Sequence, residues 1–414
     1  MKLAVVGGGS TYTPELADGL AALPVDELVL VDPAAERAEL VAGMVRRMLA
    51  RQGHPARVVV TPSVEHGAAD ADAVLLQLRI GGQAARHGDE TWPLECGCVG
   101  QETVGAGGLA KALRTVPVVL DIAERVRRVA PRAWIVDFTN PVGIVTRALL
   151  DEGHRAVGLC NVAIGYQRRF AAMLGVEPSR VSLDHVGLNH MTWERGVRVD
   201  GVDALPSLMT QGASFAEELG LPFALLRRQQ AIPSYYVRYY WAHDEVVASQ
   251  RSATGTRAEE VALVESQLLD LYADSAVDTK PELLGKRGGA YYSEAAVELL
   301  AGLTGTAMPP LVADVRNAGT LPFLPDEAVI EVPCTVSADG AVPQAVAPLE
   351  ARYRGLVAHV AAYEELALDA ALRGGRDRVY DALLAHPTIG QAALADRLTD
   401  LLLAAGKEHL AWAR

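Results

Sequence analysis

Two residues that can bind transition metals lie in the middle of the chain, each at the end of a short apolar segment. Cys160 ends the run RAVGLC, and His190 ends the run GLNH. A thiolate and a neutral imidazole both coordinate divalent transition metals, and a site with only two protein ligands leaves positions open for substrate oxygens. Each residue also has a structural interpretation, because a free cysteine is often a core residue and a single histidine is often only hydrogen-bonded. The pair alone leaves both interpretations open.

A glycine-rich segment at the start of the chain has the features of a phosphate-binding loop. In VVGGGSTYTPEL an apolar run leads into three glycines and then into a helix start, where Pro14 suits the first turn. Glycines let a phosphate approach the backbone closely, and a helix N-terminus favours an anion. Tyr12 stands where the third glycine of a dinucleotide fingerprint is usual, so the match is partial. The residues that we expect to contact a dinucleotide here are Gly7, Gly9, Ser10 and Thr11.

A carboxylate further along the chain makes the dinucleotide interpretation more specific. Asp32 follows the apolar run LVLV, about 20 residues after the glycines, where a carboxylate accepts hydrogen bonds from both ribose hydroxyls and repels a 2'-phosphate. The sequence therefore predicts NAD as the cofactor in preference to NADP. The alternative is a glycine-rich turn in an α/β protein that binds no dinucleotide.

The elements that must position these residues alternate in the first part of the chain. The strand-like runs are LAVVGG, ELVLVDP, RVVVT, AVLLQL and AWIVDFTNP, and helical patterns begin near Pro14, run through Met44 to Ala50 and cover about 109–129. Strands that alternate with helices predict a parallel sheet built from right-handed crossovers. We therefore predict a Rossmann-like, doubly wound α/β domain over residues 1–158.

The pattern becomes mixed after about residue 160. Long helical stretches cover 215–231, 256–274 and 291–303, and EVPCTV at 331–336 resembles a strand. This mixture predicts an α+β domain over residues 159–414. Because Cys160 and His190 lie within it, it is the expected catalytic domain.

The composition argues against several classes of protein. Of the 414 residues 50% are hydrophobic, but no apolar run reaches the roughly 18 residues of a membrane span, so we expect no transmembrane helix. The start of the chain shows no secretion signal, and the four cysteines are irregularly spaced, which favours the reducing cytoplasm without disulfides. A net charge of -13 argues against nucleic-acid and anionic-membrane partners, although it permits a local basic pocket for a small anion.

Many segments of the chain, all in one order, carry a resemblance to a known family. They are VVGGGSTYTPEL, RHGDETWPLECGCVGQETVGAGGLAKALR, DFTNPVGIVT, GLCNVAIGYQRRF, DHVGLNH, SYYVRYY, TRAEEV, GKRGGAYYSEAA and RNAGTLPFLPDEAVIEVPC. These segments resemble the signature segments of glycoside hydrolase family 4, the NAD- and metal-dependent glycosidases. The resemblance runs from residue 1 past residue 334 and continues in ALLAHPTIG. It implies an α/β fold whose second domain resembles the C-terminal domain of lactate and malate dehydrogenases.

The resemblance also implies the metal and the substrate. In this family a divalent metal, usually manganese, lies between a cysteine and a histidine, and the matching residues are Cys160 and His190. The next residue, Asn161, resembles members that act on β-linked 6-phosphoglucosides, whereas α-acting members usually have Asp there. An α-specific enzyme needs an acid near the leaving oxygen, and an amide cannot supply that proton. Ala163 stands where many members of the family have proline.

The chemistry that the resemblance implies differs from ordinary glycoside hydrolysis by two carboxylates. NAD takes a hydride from sugar carbon 3, a base removes the proton on carbon 2, the aglycone leaves carbon 1, water adds, and the hydride returns. The base in β-acting members is a tyrosine, and within SYYVRYY the residue that matches it is Tyr236. A phenol with a pKa of about 10 needs a nearby metal or cation to act at neutral pH. At least two of the four tyrosines are expected to pack a helix instead.

The other substrate contacts follow from the same resemblance. Arg257 in TRAEEV matches a position that contacts the phosphate, and Arg86 matches one that contacts the substrate, with a surface ion pair to Asp89 or Glu90 as the alternative. The basic turn Lys286–Gly289 lies either near the site or in a solvated loop, and we leave it outside the catalytic set. The residues expected to bind sugar hydroxyls, contact the substrate or orient the ligands are Glu102, Asn140, Asn161 and Asn189.

The resemblance thus implies an enzyme that hydrolyses a small phosphorylated glycoside and that forms a homodimer or homotetramer. The alternative is an NAD-dependent dehydrogenase that acts on a 2-hydroxy acid or a sugar with the same cofactor domain. That class does not predict the pair of Cys160 and His190. A non-enzymatic NAD-binding sensor is a third hypothesis.

Overall fold

Six strands from the first part of the chain form a parallel sheet in the computed structural model, which describes residues 1–289 and 291–413. They are β1 (Lys2–Val6), β2 (Glu27–Val31), β3 (Arg57–Thr61), β4 (Ala73–Leu76), β5 (Trp134–Asp137) and β6 (Ala156–Gly158). Their order across the sheet is β3-β2-β1-β4-β5-β6, and neighbouring strands pair in parallel. This is the strand order of the Rossmann fold, so the fold predicted for the first part of the chain is confirmed.

Helices connect these strands and cover both faces of the sheet. They are α1 (Thr13–Leu20), α2 (Ala35–Arg51), α3 (Val64–Ala68), α4 (Gly82–Thr91), α5 (Gly105–Val129) and α6 (Val142–Asp151). Leu3 and Val5 of β1 face the apolar layer that contains α1 and α2, whereas Ala4 and Val6 face the layer that contains α5 and α6. The strands are buried on both faces, which explains why their sequences are continuous apolar runs without alternation.

The same sheet continues beyond β6 with strands from the second part of the chain. They are β7 (Val181–Leu188), β8 (Met191–Val199), β9 (Val202–Asp203), β10 (Ile232–Pro233), β11 (Leu311–Arg316), β12 (Val329–Ser337) and β13 (Gly340–Pro343). From β6 the order is β11-β12-β7-β8-β10 with antiparallel pairing, and the strand predicted at 331–336 is confirmed as part of β12. Asp314 pairs with Gly158, so one sheet joins the two parts, and the domain boundary at residue 158 stays a prediction.

The helices of the second part surround this antiparallel region. They are α7 (Val162–Leu174), α8 (Leu205–Thr210), α9 (Gly212–Leu219), α10 (Phe223–Gln229), α11 (Arg238–Trp241), α12 (His243–Ser252), α13 (Arg257–Ala273), α14 (Leu284–Arg287), α15 (Tyr292–Leu303), α16 (Ala351–Arg373), α17 (Arg376–Leu384) and α18 (Ala392–Gly406). The helices predicted at 256–274 and 291–303 are confirmed as α13 and α15. The single helix predicted at 215–231 is wrong, because Gly220, with φ +63°, ends α9 and Pro222 precedes α10. Glycine adopts this left-handed conformation easily, and proline cannot donate within a helix.

The second part of the chain covers both apolar layers of the first part. Helices α13 and α15 contact α2 and α1, whereas α16, α17 and α18 contact α5. The two parts therefore share their apolar cores along the whole sheet. Among the residues that the structure describes, no helix has both the length and the apolar character that a bilayer span requires.

Candidate active site

The glycine-rich loop follows β1 and lies against the ends of two neighbouring strands. Gly7 has φ +87°, and a Cβ there would lie 2.7 Å from the carbonyl oxygen of Gln77. The amide of Gly9 donates to Oδ2 of Asp32 at 2.9 Å, and a Cβ on Gly9 would lie 2.9 Å from that same oxygen. Both positions favour glycine for steric reasons, so the loop presents bare backbone at the N-terminus of α1.

Asp32 is the first residue after β2, as the prediction of a ribose-binding carboxylate requires. Its Oδ1 accepts from the amide of Ala34 at 2.9 Å, so both carboxylate oxygens are fixed by backbone amides. Thr11 is buried, and its Oγ1 accepts from the guanidinium of Arg287 at 2.8 Å. Arg287 also lies 3.3 Å from Oγ of Ser10. The predicted cofactor residues are thus brought together at one end of the sheet, and Thr11 is covered by the second part of the chain.

The two predicted metal ligands come from the ends of separate strands, and both side chains are buried. Cys160 lies shortly beyond β6, whereas His190 is in the tight turn between β7 and β8. His190 has φ +64°, a left-handed conformation that is uncommon for residues other than glycine. Backbone strain of this kind is concentrated at functional sites, which supports a functional role for His190.

Tyr236 connects the two predicted ligands. Its ring stacks on the imidazole of His190, with the centroids 3.5 Å apart and the planes 6° apart. Burial raises the pKa of Tyr236 well above its usual value, and a charge on Cys160 raises it further, whereas Arg86 opposes the change. Burial lowers the pKa of His190 to about 4, so its imidazole is neutral near pH 7, the form that binds metals. The phenol therefore needs a positive charge beside it before it can act as a base.

Buried polar side chains form a connected network next to Cys160. The amide of Asn189 donates to Oε2 of Glu331 at 2.8 Å and also hydrogen-bonds to the thiol of Cys160. The other oxygen of Glu331 lies 2.8 Å from Nε2 of His185, whose Nδ1 contacts Glu194. Burial disfavours the imidazolium, but the carboxylates of Glu194 and Glu331 outweigh it and raise the pKa of His185 to about 10. His185 is therefore a buried cation between two carboxylates.

Glu102 is the centre of a second charged cluster. It contacts Arg79 and Lys111, and its Oε1 lies 3.3 Å from Nε of Arg86. Burial opposes ionisation of this carboxyl, but the surrounding cations outweigh it and hold the pKa of Glu102 well below its usual value. Burial lowers the pKa of Lys111 to about 8, against the opposing effect of Glu102. With Glu90 included, three cations face two carboxylates, so the cluster attracts an anionic ligand.

Arg86 and Arg257 are connected through Glu90. Nε of Arg86 lies 2.7 Å from Oε1 of Glu90, and the amide of Ala258 donates to the other oxygen at 2.8 Å. The ion pair considered for Arg86 is thus formed with Glu90, but the Arg86 side chain is only 12% exposed, so it is not a surface pair. Arg257 is exposed at the first turn of α13 and pairs with Glu260 at 3.0 Å.

Asn140 and Asn161 stand before neighbouring helices, α6 and α7. The side-chain oxygen of Asn140 is buried and has no hydrogen-bond partner among the described residues. A buried amide oxygen without a partner costs free energy, so a bound ligand is expected to donate to it. Asn161 is the N-cap residue of α7, directly after Cys160. Both residues follow strands that end at the same edge of the sheet as the glycine loop.

These residues fit the metal and the cofactor that the sequence implies. Burial raises the pKa of the Cys160 thiol, and the charges of Glu331 and Asp314 raise it further, so a divalent cation would relieve both effects. Within residues 1–289 and 291–413, no group of three or more His, Cys, Asp and Glu side chains could hold a metal. A metal held by Cys160 and His190 alone would have positions open to substrate oxygens. The glycine loop and Asp32 fit a dinucleotide.

The sequence prediction missed several charged residues near these sites. Lys111 stands inside a segment that carries the family resemblance, and a cation within such a segment was the available signal. Arg287 belongs to the basic turn that the prediction left outside the catalytic set, and the structure places its guanidinium against Ser10 and Thr11. Arg79 has no such signal, because it lies outside those segments. His185 lies within the segment DHVGLNH, but its contact with Glu194 and Glu331 depends on the pairing of three strands.

Comparison with known proteins identifies the family. The family model described as family 4 glycosyl hydrolase matches residues 2–176, and the model of the family 4 glycosyl hydrolase C-terminal domain matches residues 185–389. The chain belongs to glycosyl hydrolase family 4. The family suggested by the sequence segments is thus confirmed.

Individual members of glycosyl hydrolase family 4 are similar over almost their whole length. A protein of Bacillus subtilis (strain 168) named probable 6-phospho-beta-glucosidase is 37% identical, and the match covers 99% of this chain and 97% of that protein. The 6-phospho-beta glucosidase from Thermotoga maritima, solved with manganese, NAD+ and glucose-6-phosphate, has a TM-score of 0.91 at 31% identity and covers 99% of both chains. Malate dehydrogenase from Salinibacter ruber has a TM-score of 0.54 at 18% identity over 91% of this chain, which shows a shared fold.

Proposed function

We propose that this family 4 glycosyl hydrolase cleaves β-linked 6-phosphoglucosides and that it uses NAD and a divalent metal, with Mn²⁺ as the first candidate. The observation that carries the proposal is the stacking of the half-buried Tyr236 on the buried His190 beside Cys160, which gathers a phenol, an imidazole and a thiol in one cluster. The Thermotoga maritima structure with manganese, NAD+ and glucose-6-phosphate supports the same choice of ligands.

The proposed reaction divides its tasks among these residues. When bound, NAD supplies a reversible hydride acceptor and the metal supplies a Lewis acid that stabilises negative charge on substrate oxygens. Cys160 and His190 would hold the metal. The phenol oxygen of Tyr236 accepts the proton from sugar carbon 2. Tyr236 suits this role because its ring stacks on His190, one proposed metal ligand, and lies close to Cys160, the other. The aglycone then leaves carbon 1, and water adds there. The hydride that NAD would accept from carbon 3 would return to it, so that the net reaction is hydrolysis.

The charged cluster around Glu102 supports a phosphorylated substrate. Arg86 lies close enough to Tyr236 to oppose the rise in the pKa of the phenol, and it contacts Glu90 on the side that faces α13. Arg257 is at the start of that helix and open to solvent. If a sugar is held at Tyr236 with its 6-phosphate toward Arg257, the phosphate dianion would offset the excess positive charge of the cluster around Glu102.

The proposed preference for β-linked substrates rests on Asn161. An α-specific enzyme needs an acid beside the leaving oxygen, whereas the amide of Asn161 cannot supply a proton. Asn140, with its unpaired buried oxygen, and Asn189, which hydrogen-bonds to Cys160, would bind sugar hydroxyls or orient the ligands.

The test is a panel of chromogenic α- and β-glucosides, with and without a 6-phosphate, assayed with NAD, Mn²⁺ and a reductant in deuterated water. We expect aglycone release only from the β-linked 6-phosphate, deuterium at carbon 2 of the product, and no steady accumulation of NADH. Steady NADH formation without aglycone release would indicate a dehydrogenase instead. Release of product without deuterium at carbon 2 would exclude elimination, and preferential cleavage of the α-linked compound would overturn the proposed linkage.

A further inference from the structure

We propose that Arg287, although it lies in the second part of the chain, is a cofactor-binding residue that faces the pyrophosphate of the dinucleotide. The inference rests on the proposed use of NAD. Arg287 ends α14, and its side chain reaches back to the glycine loop. Nε donates to Oγ1 of Thr11 at 2.8 Å, and Nη2 donates to Oγ of Ser10 at 3.3 Å. These hydroxyls belong to the turn at the start of α1, where Rossmann folds hold a pyrophosphate.

The guanidinium of Arg287 is enclosed and held in place. Its side chain is only 16% exposed, and its carbon Cζ lies 5.6 Å from the ring centroid of Tyr12. The hydroxyl of Tyr272 donates to the carbonyl of Thr11 at 2.7 Å, and the hydroxyl of Tyr12 donates to the carbonyl of Gly289. Chain segments on both sides of Arg287 are thus fixed to the loop. A cation that is already positioned loses little conformational entropy when an anion binds.

Among the ion pairs of the described residues, two guanidinium groups beside the glycine loop pair with the same carboxylate, that of Glu265. Glu265 lies 3.1 Å from Arg287 and 3.7 Å from Arg37, and Nε of Arg37 donates to loop backbone at 2.8 Å. Glu15, in the first turn of α1, is paired with Lys280 at 3.2 Å. One carboxylate, that of Glu265, therefore faces two guanidinium groups beside the loop. The pyrophosphate of a dinucleotide carries negative charge that would complete the pairing.

A purely structural role for Arg287 predicts a different response to mutation. If Arg287 only holds α14 against the loop, its charge acts through the ion pair with Glu265, and loss of either partner weakens that contact. If the charge acts on the pyrophosphate, loss of Glu265 makes the guanidinium more available, and only the loss of Arg287 is harmful. Substitution of Arg287 and substitution of Glu265 therefore distinguish the two roles. Both should weaken NAD binding if the role is structural, whereas only substitution of Arg287 should weaken it if the guanidinium faces the pyrophosphate.

The experiment measures the dissociation constants of NAD, ADP-ribose and adenosine by calorimetry, on the whole chain without substrate. ADP-ribose keeps the pyrophosphate without the nicotinamide, and adenosine has neither group. We expect Arg287→Gln to weaken NAD and ADP-ribose by the same factor, roughly ten- to a hundredfold, and to leave adenosine within about twofold. Glu265→Gln should leave the affinity for NAD unchanged or increase it.

Arg47→Gln is the matched control for a change at the contact between the two parts of the chain. Arg47, on α2, donates to the carbonyls of Tyr272 and Val277 at 2.8 and 2.6 Å. Its loss should lower the melting temperature and leave all three dissociation constants unchanged.

Three results would overturn the role of Arg287. They are equal weakening by Glu265→Gln and Arg287→Gln, an equal loss of adenosine binding, and wild-type affinity for NAD in Arg287→Gln. If Arg287→Gln does not fold, Arg287→Lys is measured in its place. Lysine keeps the positive charge but lacks the planar guanidinium, so we expect severalfold weaker NAD binding. Failure of the wild-type chain to bind NAD at all would instead overturn the proposed function.

Discussion

The nucleotide end and the sugar end of the candidate active site are built in different ways. At the nucleotide end, the consecutive residues Gly7–Thr11 and the carboxylate of Asp32 are placed by two neighbouring parallel strands. At the sugar end, Cys160, His190 and Tyr236 come from elements that are far apart in the chain and meet only in the folded protein. A site made of backbone is predictable from a short stretch of sequence, whereas a site made of converging side chains depends on the whole fold.

The two ends also differ in how their charges are balanced. At the nucleotide end, neutral amides of Gly9 and Ala34 fix the carboxylate of Asp32, and the ion pairs of Glu265 with Arg287 and Arg37 are partly exposed. At the sugar end, buried ions face one another, as His185 does between Glu194 and Glu331. Buried ions are costly to leave unpaired. We therefore expect substitutions at the sugar end to affect catalysis and folding strongly, and substitutions at the nucleotide end to affect mainly cofactor affinity.

The largest effect is expected from the loss of a proposed metal ligand. Cys160→Ala should lower kcat on the order of 10³-fold, because the Lewis acid that stabilises charge on the substrate is lost, and added Mn²⁺ should not restore it. The affinity for NAD should stay within about twofold of the wild type, since Cys160 follows β6, and β5 and β4 separate β6 from the strand that leads into the glycine loop. Steady-state kinetics across a Mn²⁺ titration, with NAD binding measured separately, test both statements.

Cys98→Ala is the control for the loss of a buried thiol. Cys98 lies in the apolar layer formed with α5, so its variant should respond to Mn²⁺ as the wild type does. Near-normal turnover of Cys160→Ala in the presence of a chelator would contradict the metal site. Loss of NAD affinity in the same variant would show that the two ends are not independent.

The next largest effect is expected on folding, from His185→Gln. The substitution leaves the buried carboxylates of Glu194 and Glu331 without their cation, so we expect the free energy of unfolding to fall by about 3 kcal/mol or more. Urea unfolding measures this change. His386→Gln is the matched control, because His386 is equally buried, its pKa is lowered to about 3 by burial, and it bonds to the amide of Gly105. A smaller loss in His185→Gln than in the control would contradict the ionic role.

The same histidine should make the stability of the fold depend on pH. The pKa of His185 is raised from 6.5 to about 10 in the folded protein, so its contribution is complete below pH 6.5 and is lost as the pH rises through about 10. The free energy of unfolding of the wild type should therefore decrease over this range by more than that of His185→Gln. Parallel pH profiles of the two proteins would refute the assignment.

Much of the fold was predictable from the sequence because the parallel strands are short apolar runs bounded by glycine, proline or aspartate. The helix predicted at 215–231 failed for a local reason, since Gly220 and Pro222 interrupt a stretch whose other residues favour a helix. The union of both parts in one sheet was not predictable, because the pairing of Gly158 with Asp314 joins residues that are distant in the chain.

The candidate site was predictable to different degrees at its two ends. The glycines and Asp32 indicated a dinucleotide from their own types and spacing. Cys160 and His190 gained their interpretation only from family resemblance, since nothing in the local sequence joins them. The position of Lys111 beside Glu102 depends on how α5 packs against neighbouring segments, which short-range sequence patterns do not encode.

A moderate effect is expected at the nucleotide end, from Gly9→Ala. The added Cβ would lie 2.9 Å from Oδ2 of Asp32, so the carboxylate must shift away from the position in which we propose that it binds the ribose. We expect the dissociation constant of NAD to rise roughly tenfold, with Mn²⁺ affinity unchanged. Gly43→Ala in α2 is the control, because its nearest neighbour is the flexible end of Arg47 at 3.6 Å, and it should leave NAD binding unchanged. Equal NAD affinities of Gly9→Ala and Gly43→Ala would contradict the idea that the backbone of the glycine loop determines cofactor binding at the nucleotide end.

The smallest effect is expected where the sugar end opens to solvent, from Arg257→Gln. Arg257 is exposed and pairs with Glu260 on the helix surface, so its loss should change the free energy of unfolding by less than about 0.5 kcal/mol. If Arg257 contacts the 6-phosphate, its loss should raise the KM of a phosphorylated substrate roughly tenfold and leave kcat close to the wild-type value. The reason is that a contact far from the reacting atoms stabilises the ground state and the transition state equally. Glu260→Gln removes the partner and keeps the cation, so its KM should stay equal or fall. A rise in KM for both variants would mean that the ion pair, and not the guanidinium itself, positions the substrate.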